Sequence, residues 1–200
     1  MLTLTFIAGC LSVLPVWIYD QVVKTVFDFR GPFYDAFITA AIPEECCKLL
    51  MFFIFVWPSK YFDEYFDGIV YFTFISLGFA CVENFIYVFD INGGVSTGIV
   101  RAVFSVPGHF LFGVLGGYYL ALAKFKSSKK IADFICAVIV PVSAHGIFNY
   151  LLFKSEELSD LKKTALLSGF VAFDIVLWIE GSKRLKKLQK RNEEIDEYSL

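Results

Sequence analysis

The sequence predicts an all-α fold, a polytopic membrane bundle of about six transmembrane helices. Three observations predict it. The 200 residues are 57% hydrophobic and include 24 phenylalanines, whereas soluble domains are about 45–50% apolar. Mean hydropathy is +0.63. The apolar residues also fall into runs near the ~20 residues that cross a bilayer as a helix. A net charge of −2 gives no sign of a nucleic-acid partner; the partner composition implies is the lipid bilayer.

The first span is expected over residues 2–19, with Pro15 able to kink it. Ile7-Ala8-Gly9-Cys10 looks like a lipoprotein cleavage box. No Lys or Arg precedes it and the apolar run before it is short, so the segment reads as a retained span. A linker with Lys24, Asp28, Arg30 and Gly31-Pro32 follows.

The second span, residues 33–57, contains Pro43-Glu44-Glu45-Cys46-Cys47-Lys48. Pro43 removes a backbone donor and frees the carbonyl one turn earlier. In a membrane such a break is tolerated where it is buried in protein or lines a wet cavity. After a polar loop at 58–67, the third span (68–89) carries Glu83-Asn84, and Asn92-Gly93-Gly94 reads as a turn.

The fourth span (99–123) carries Arg101, Pro107, Gly108 and His109. Its Gly113, Gly116 and Gly117 permit close helix approach. A basic loop at 124–130 leads to the fifth span (131–153), with Pro141, His145 and Asn149. The sixth (164–179) carries Asp174, for which a packing role and a catalytic one are equally open. Residues 1–180 thus form one bundle and 181–200 a charged tail. The five cysteines lie inside apolar runs, a pattern of small buried hydrophobes and not of a disulfide framework.

Six crossings place both termini on one face. That face collects Lys60, Lys124, Lys126, Lys129, Lys130 and the basic residues of the tail. By the excess of Lys and Arg it is the cytoplasmic one, which makes the protein a multi-pass protein of the cell membrane with both termini inside.

Ionisable groups within spans are costly in hydrocarbon and mark functional sites. If they form one site they must share a depth. At about 1.5 Å per helical residue, Glu44, Glu83, His109 and His145 lie about 16, 9, 15 and 12 Å from the same, non-cytoplasmic face. Glu44 and Lys48 share a helix face, as do His145 and Asn149, while Glu45 points about 100° away unless Pro43 distorts the turn.

Two buried carboxylates side by side, with a lysine near, suit a base that activates water; histidines and an amide suit stabilisation of an oxyanion and protonation of a leaving amine. Alternatively His109, His145 and Glu83 are a donor set for Zn2+ with a position left open for water. Arg101 contacts a substrate or snorkels to the interface.

Glu44-Glu45-x-x-Lys48, Gly78-Phe79-Ala80-x-x-Glu83-Asn84, His109 and His145-x-x-x-Asn149 together resemble the PrsW family of bacterial intramembrane proteases. That family belongs with the CAAX-protease and bacteriocin-processing group, which includes the eukaryotic prenyl-protein endoproteases. The resemblance implies that Glu44 is the base, Glu45 its partner, and His109, His145 and Asn149 the groups that bind water, metal or the tetrahedral intermediate. Lys48, Glu83, Asn84 and Arg101 would support them. It implies a membrane-anchored protein substrate, anti-sigma-factor-like or a prenylated peptide, and leaves Zn2+ and a metal-free glutamate mechanism both open. Two other readings of the same polar core are an ion-coupled transporter and a non-catalytic chaperone or immunity protein.

Overall fold

The computed structural model describes residues 1–27, 29–89 and 94–199, and among these every regular element is helical. The elements are α1 (Leu2–Leu11), α2 (Val13–Val26), a π-helical segment (Tyr34–Ala41) running directly into α3 (Ile42–Phe55), α4 (Tyr65–Phe89), α5 (Val95–Val103), α6 (Ser105–Phe125), a short 3-10 turn (Ser127–Lys129), α7 (Lys130–Glu156) and α8 (Asp160–Ser199). Asp28 of the expected linker, and Asn92 and Gly93 of the expected turn, lie outside the described residues.

Among the described residues, five stretches are long and apolar enough to cross a membrane: Leu2–Val26, Tyr65–Phe89, Val95–Phe125, Lys130–Glu156 and Asp160–Glu194. The remaining expected span is a continuous helical run from Tyr34 to Phe55. Asp35, Glu44, Glu45 and Lys48 make it too polar to qualify by composition, and it is shielded instead: Glu44, Glu45, Lys48 and Phe52 are all buried. The lipid-facing signature lies on the other helices, where Trp17, Ile18 and Val22 of α2, Ile131, Ile135 and Ile139 of α7, and Ile175 and Ile179 of α8 are exposed. Apolar side chains facing outward in such stripes suit a hydrocarbon surround.

The prolines explain where the helices break. A proline has no N–H for the carbonyl four residues back and clashes with it. For Pro15 and Pro107 those carbonyls belong to Leu11 and Val103, the last residues of α1 and α5. The first break thus sits at Ser12, one turn before the proline expected to kink the span. Ahead of Pro43 the helix widens into π turns, and the Ile42 N–H reaches back to the Phe37 carbonyl. Pro141 leaves α7 unbroken.

Close backbone approach sets the packing of α1, α4 and α6. A Cβ built on Gly9 would overlap the Ile75 carbonyl, and one on Gly78 the Phe6 carbonyl. The Cys10 thiol donates to the Gly78 carbonyl at 3.4 Å. Between α4 and α6 the same holds at Gly113, whose Cβ would lie 2.8 Å from Thr73 Cα, and at Gly117, 2.7 Å from Ile69 Cα. Small residues let membrane helices meet at this distance. Gly78→Leu is therefore expected to push α1 off α4 and to cost about 3 kcal/mol or more of stability, as overpacking does where backbone must move. A thermal melt in detergent checks this; an unchanged midpoint would mean that the contact is dispensable.

At the end of the bundle away from the polar residues, rings lock α3, α4 and α6 together. Phe52 packs edge-on to Phe62 (5.4 Å between centroids) and Phe72 (5.6 Å), and Phe62 to Phe125 (5.2 Å). The charged tail continues α8 without a break at residue 180. It packs back on the bundle: Leu188 is buried among Tyr65, Ile69, Val114 and Tyr118, and the Asn192 amide donates to Glu64. The cysteines differ from expectation. All five are free, Cys46 and Cys81 are exposed, and the other three are only partly covered. Their thiols are apolar enough to face lipid as readily as core.

Candidate active site

Glu44, Glu45 and Lys48 stand near the start of α3, Glu83 toward the end of α4, Arg101 near the end of α5, His109 near the start of α6, and His145 and Asn149 toward the end of α7. Since these helices alternate in direction, all of the residues arrive at the same end of the bundle. The shared depth expected from the sequence is a physical meeting.

They form one continuous hydrogen-bonded chain. The Asn149 Nδ2 and His145 Nε2 atoms lie 3.0 Å apart, and His145 Nδ1 is 2.9 Å from Glu45 Oε1. Lys48 Nζ donates to that same oxygen at 2.8 Å and sits 2.9 Å from His109 Nδ1. His109 Nε2 is 3.0 Å from Glu83 Oε2, which also accepts from Arg101 Nη2 at 2.7 Å. The network assigns the tautomers. An ammonium only donates, so His109 Nδ1 accepts and its proton is on Nε2, donated to Glu83. A carboxylate only accepts, so His145 Nδ1 carries the proton and its Nε2 accepts from Asn149.

Aromatic rings brace the chain. Phe112 stacks on His145 (4.8 Å, 15° between planes), Phe79 lies 4.4 Å from Lys48 Nζ, and the Arg101 guanidinium sits 3.8 Å from the Tyr87 ring centroid. Cation–ring contacts of this kind strengthen when desolvated.

Glu44 stands beside this chain and not within it. Its Oε2 is buried and has no hydrogen-bond partner, with Lys48 Nζ at 3.8 Å and His145 Nε2 at 3.9 Å. The roles of the pair on the helix thus differ from the expected geometry. Glu45 does not point away: it is 2% exposed and makes the contacts to Lys48 and His145, because residues three apart share a helix face as those four apart do.

The metal-ligating group is also different in membership. Donor atoms of Glu44, His109 and His145 lie within 4.8 Å of one another, whereas Glu83 is turned to His109 Nε2 and Arg101. Two imidazoles and a carboxylate, with an orphaned buried oxygen on Glu44, match a divalent ion in donor type and spacing, but Lys48 and Glu83 already hold both nitrogens of His109.

Two cavities meet at the carboxylates. The larger, about 530 Å³, opens between α2, the π-helical segment and α4, and is lined by Trp17, Asp20, Asp35, Thr39, Glu44 and Glu83 among others. The smaller, about 110 Å³, is lined by Arg101, Ser105, His109, His145 and Asn149 and shares Glu44 and Glu83 with the first. A water and a strand of peptide could therefore reach Glu44 from the larger space.

Of the expected residues, Asn84 and Asp174 are not brought in. Each keeps a buried oxygen without a hydrogen-bond partner, and neither lines these two cavities. Arg101 does not snorkel but pairs with Glu83. Sequence reasoning missed Tyr87, Phe112 and Ser105, and quoted Phe79 within its motif without a role. Phe79 and Tyr87 flank Glu83 at four-residue steps on one face of α4, and that spacing is the signal that could have found them.

Comparison with known proteins identifies the family. A family described as PrsW family intramembrane metalloprotease matches residues 1–179. The chain is 36% identical to the Protease PrsW of Oceanobacillus iheyensis over 182 residues, 91% of this chain and 80% of that protein. It is 32% identical to that of Bacillus subtilis (96% and 84% covered) and 31% identical to that of Clostridioides difficile (94% and 79%). No solved structure matches.

Proposed function

This chain belongs to the PrsW family of intramembrane metalloproteases, and from that premise we propose that Glu44 activates a water against a peptide bond of a membrane-anchored protein. The observation that carries the reading is the buried Glu44 Oε2, free of any hydrogen bond at the junction of the two cavities. Glu45 Oε2 also lacks a hydrogen-bond partner, but its other oxygen is held by Lys48 and His145 and Glu45 lines neither cavity; Glu83 and both imidazoles are bonded to neighbours. A general base must keep a lone pair for the proton it takes.

In this reading Glu44 takes a proton from water as the oxygen bonds to the carbonyl carbon. The oxyanion that forms is met by the second N–H of the Asn149 amide and by Arg101. Glu44 returns the proton to the departing amine, and the carbon–nitrogen bond breaks. His145 holds Asn149, Glu45 holds His145, and Lys48 offsets the negative charge of both glutamates. Zinc at Glu44, His109 and His145 would polarise the carbonyl, but none of these steps is routed through it: Glu44 keeps its lone pair for the proton, and Lys48 and Glu83 hold both nitrogens of His109.

The loops of the site end carry Lys24, Arg30, Lys154, Lys162 and Lys163, while the opposite end has Lys60, Lys124, Lys126, Lys129, Lys130 and the basic residues of the tail. By the positive-inside rule the site then opens toward the non-cytoplasmic face, with both termini inside. A substrate cut there is a single-span protein, and an anti-sigma-like regulator cleaved first on the outer side is the finer proposal. The family membership favours hydrolysis over the transport and chaperone readings.

The test is cleavage in liposomes. Wild type is incubated with single-span proteins whose scissile regions are tagged on either face. A product cut on the non-cytoplasmic side, absent with Glu44→Gln, is expected; equal cleavage by wild type and Glu44→Gln would sink the assignment. In the same assay Asn149→Ala is expected to lower kcat by about 10²–10³-fold, the loss seen when one oxyanion donor is removed. A change in KM alone would instead make Asn149 a binding group.

A further inference from the structure

Lys48 is fully buried, and what it touches bears on the metal. Its ammonium donates to Glu45 Oε1 at 2.8 Å and to His109 Nδ1 at 2.9 Å, with Glu44 Oε2 3.8 Å away. His109 Nε2 already donates to Glu83. Both nitrogens of His109 are therefore spoken for, and the lone pair that a metal would need is the one Lys48 holds. His145 is better placed, since its Nε2 is bonded only to the neutral Asn149 amide, with Glu44 Oε2 3.9 Å away. Charge points the same way. Three carboxylates of the cluster face two cations, Lys48 and Arg101. Without the ammonium, the excess negative charge equals that of one divalent ion.

We propose that Lys48 is the resident cation of this site: while it holds the His109 Nδ1 lone pair the folded protein retains no zinc at Glu44, His109 and His145, and removing its ammonium turns those three residues into a zinc site. Coordination requires an unprotonated imidazole nitrogen with a free lone pair. The proposal concerns the same residues as the hydrolytic reading but depends on that reading only for what the site is for. Metal content is measured without substrate, so the two fail separately.

The experiment loads detergent-purified full-length wild type, His145→Ala, Lys48→Arg, Lys48→Met and Lys48→Met/His145→Ala with zinc, desalts them, and measures zinc by elemental analysis alongside thermal melts with and without zinc. Wild type and Lys48→Arg are expected to keep only the background also seen in the double variant, which accounts for zinc on the free cysteines. Lys48→Met is expected to keep about one further zinc per chain and to melt higher with zinc than without, since an ion that binds the folded state stabilises it. A folded Lys48→Met with no zinc above the double variant overturns the proposal. So does about one zinc per chain in wild type that His145→Ala removes. Should Lys48→Met not fold, the wild-type measurement against His145→Ala decides alone: no difference supports the proposal and a one-zinc difference overturns it.

Discussion

Glu44→Gln is expected to slow peptide cleavage by about 10²–10⁴-fold, the contribution of a positioned general base, and to leave the melting temperature unchanged. The two halves of this expectation have one cause. Glu44 Oε2 makes no hydrogen bond, so an amide of the same shape breaks none. The same lack of a partner leaves the oxygen free for water. Rates with a single-span substrate in liposomes, and melts of the same preparations in detergent, check both halves. A variant that melts well below wild type would place Glu44 in the structural network, and its lost activity would then say nothing about chemistry.

Glu45→Ala is expected to do the reverse damage, lowering stability by about 3–5 kcal/mol, as when one partner of a buried ion pair is removed. One oxygen, Oε1, takes both Lys48 Nζ at 2.8 Å and His145 Nδ1 at 2.9 Å. Without it the nearest carboxylate oxygen to the ammonium is Glu44 Oε2, at 3.8 Å, and the imidazole N–H has no acceptor. Denaturant titration in mixed micelles measures the loss. A Glu45→Ala protein as stable as wild type would mean that a cavity water or Glu44 replaces the lost acceptor, and the division of labour between the two glutamates would have to be redrawn.

The membrane character, the helical class and nearly every residue of the polar cluster were legible in the sequence, because hydrocarbon makes each intramembrane charge conspicuous. Glu44, Glu45, Lys48, Glu83, His109, His145 and Asn149 stand out as ionisable or amide groups inside apolar runs. Their common depth follows from counting residues along helices of alternating direction. Pro15 announced a kink in the first span, although the break sits at Ser12, a turn ahead of it; the break after Val103 was not anticipated, and both lie at the carbonyls that Pro15 and Pro107 leave without a donor.

Which groups touch was decided only by the tertiary structure. Spacing along one helix makes Glu44 the partner of Lys48; the packing of α6 and α7 against α3 instead gives the hydrogen bonds of Lys48 to Glu45 and His109 and leaves Glu44 Oε2 3.8 Å from the ammonium with no hydrogen bond. Spacing gave no reason to choose between Glu44 and Glu83 as the carboxylate beside the histidines; Arg101, arriving on α5, takes Glu83 and so leaves Glu44 near His109 and His145. The tail read as a separate segment, yet Leu188 lies buried against α4 and α6. A sequence pattern records the face on which a side chain stands and its depth in the membrane, because helix geometry is local. A hydrogen bond between helices depends on how those helices are rotated and how closely they approach, and here glycines such as Gly9, Gly78, Gly113 and Gly117 set that approach.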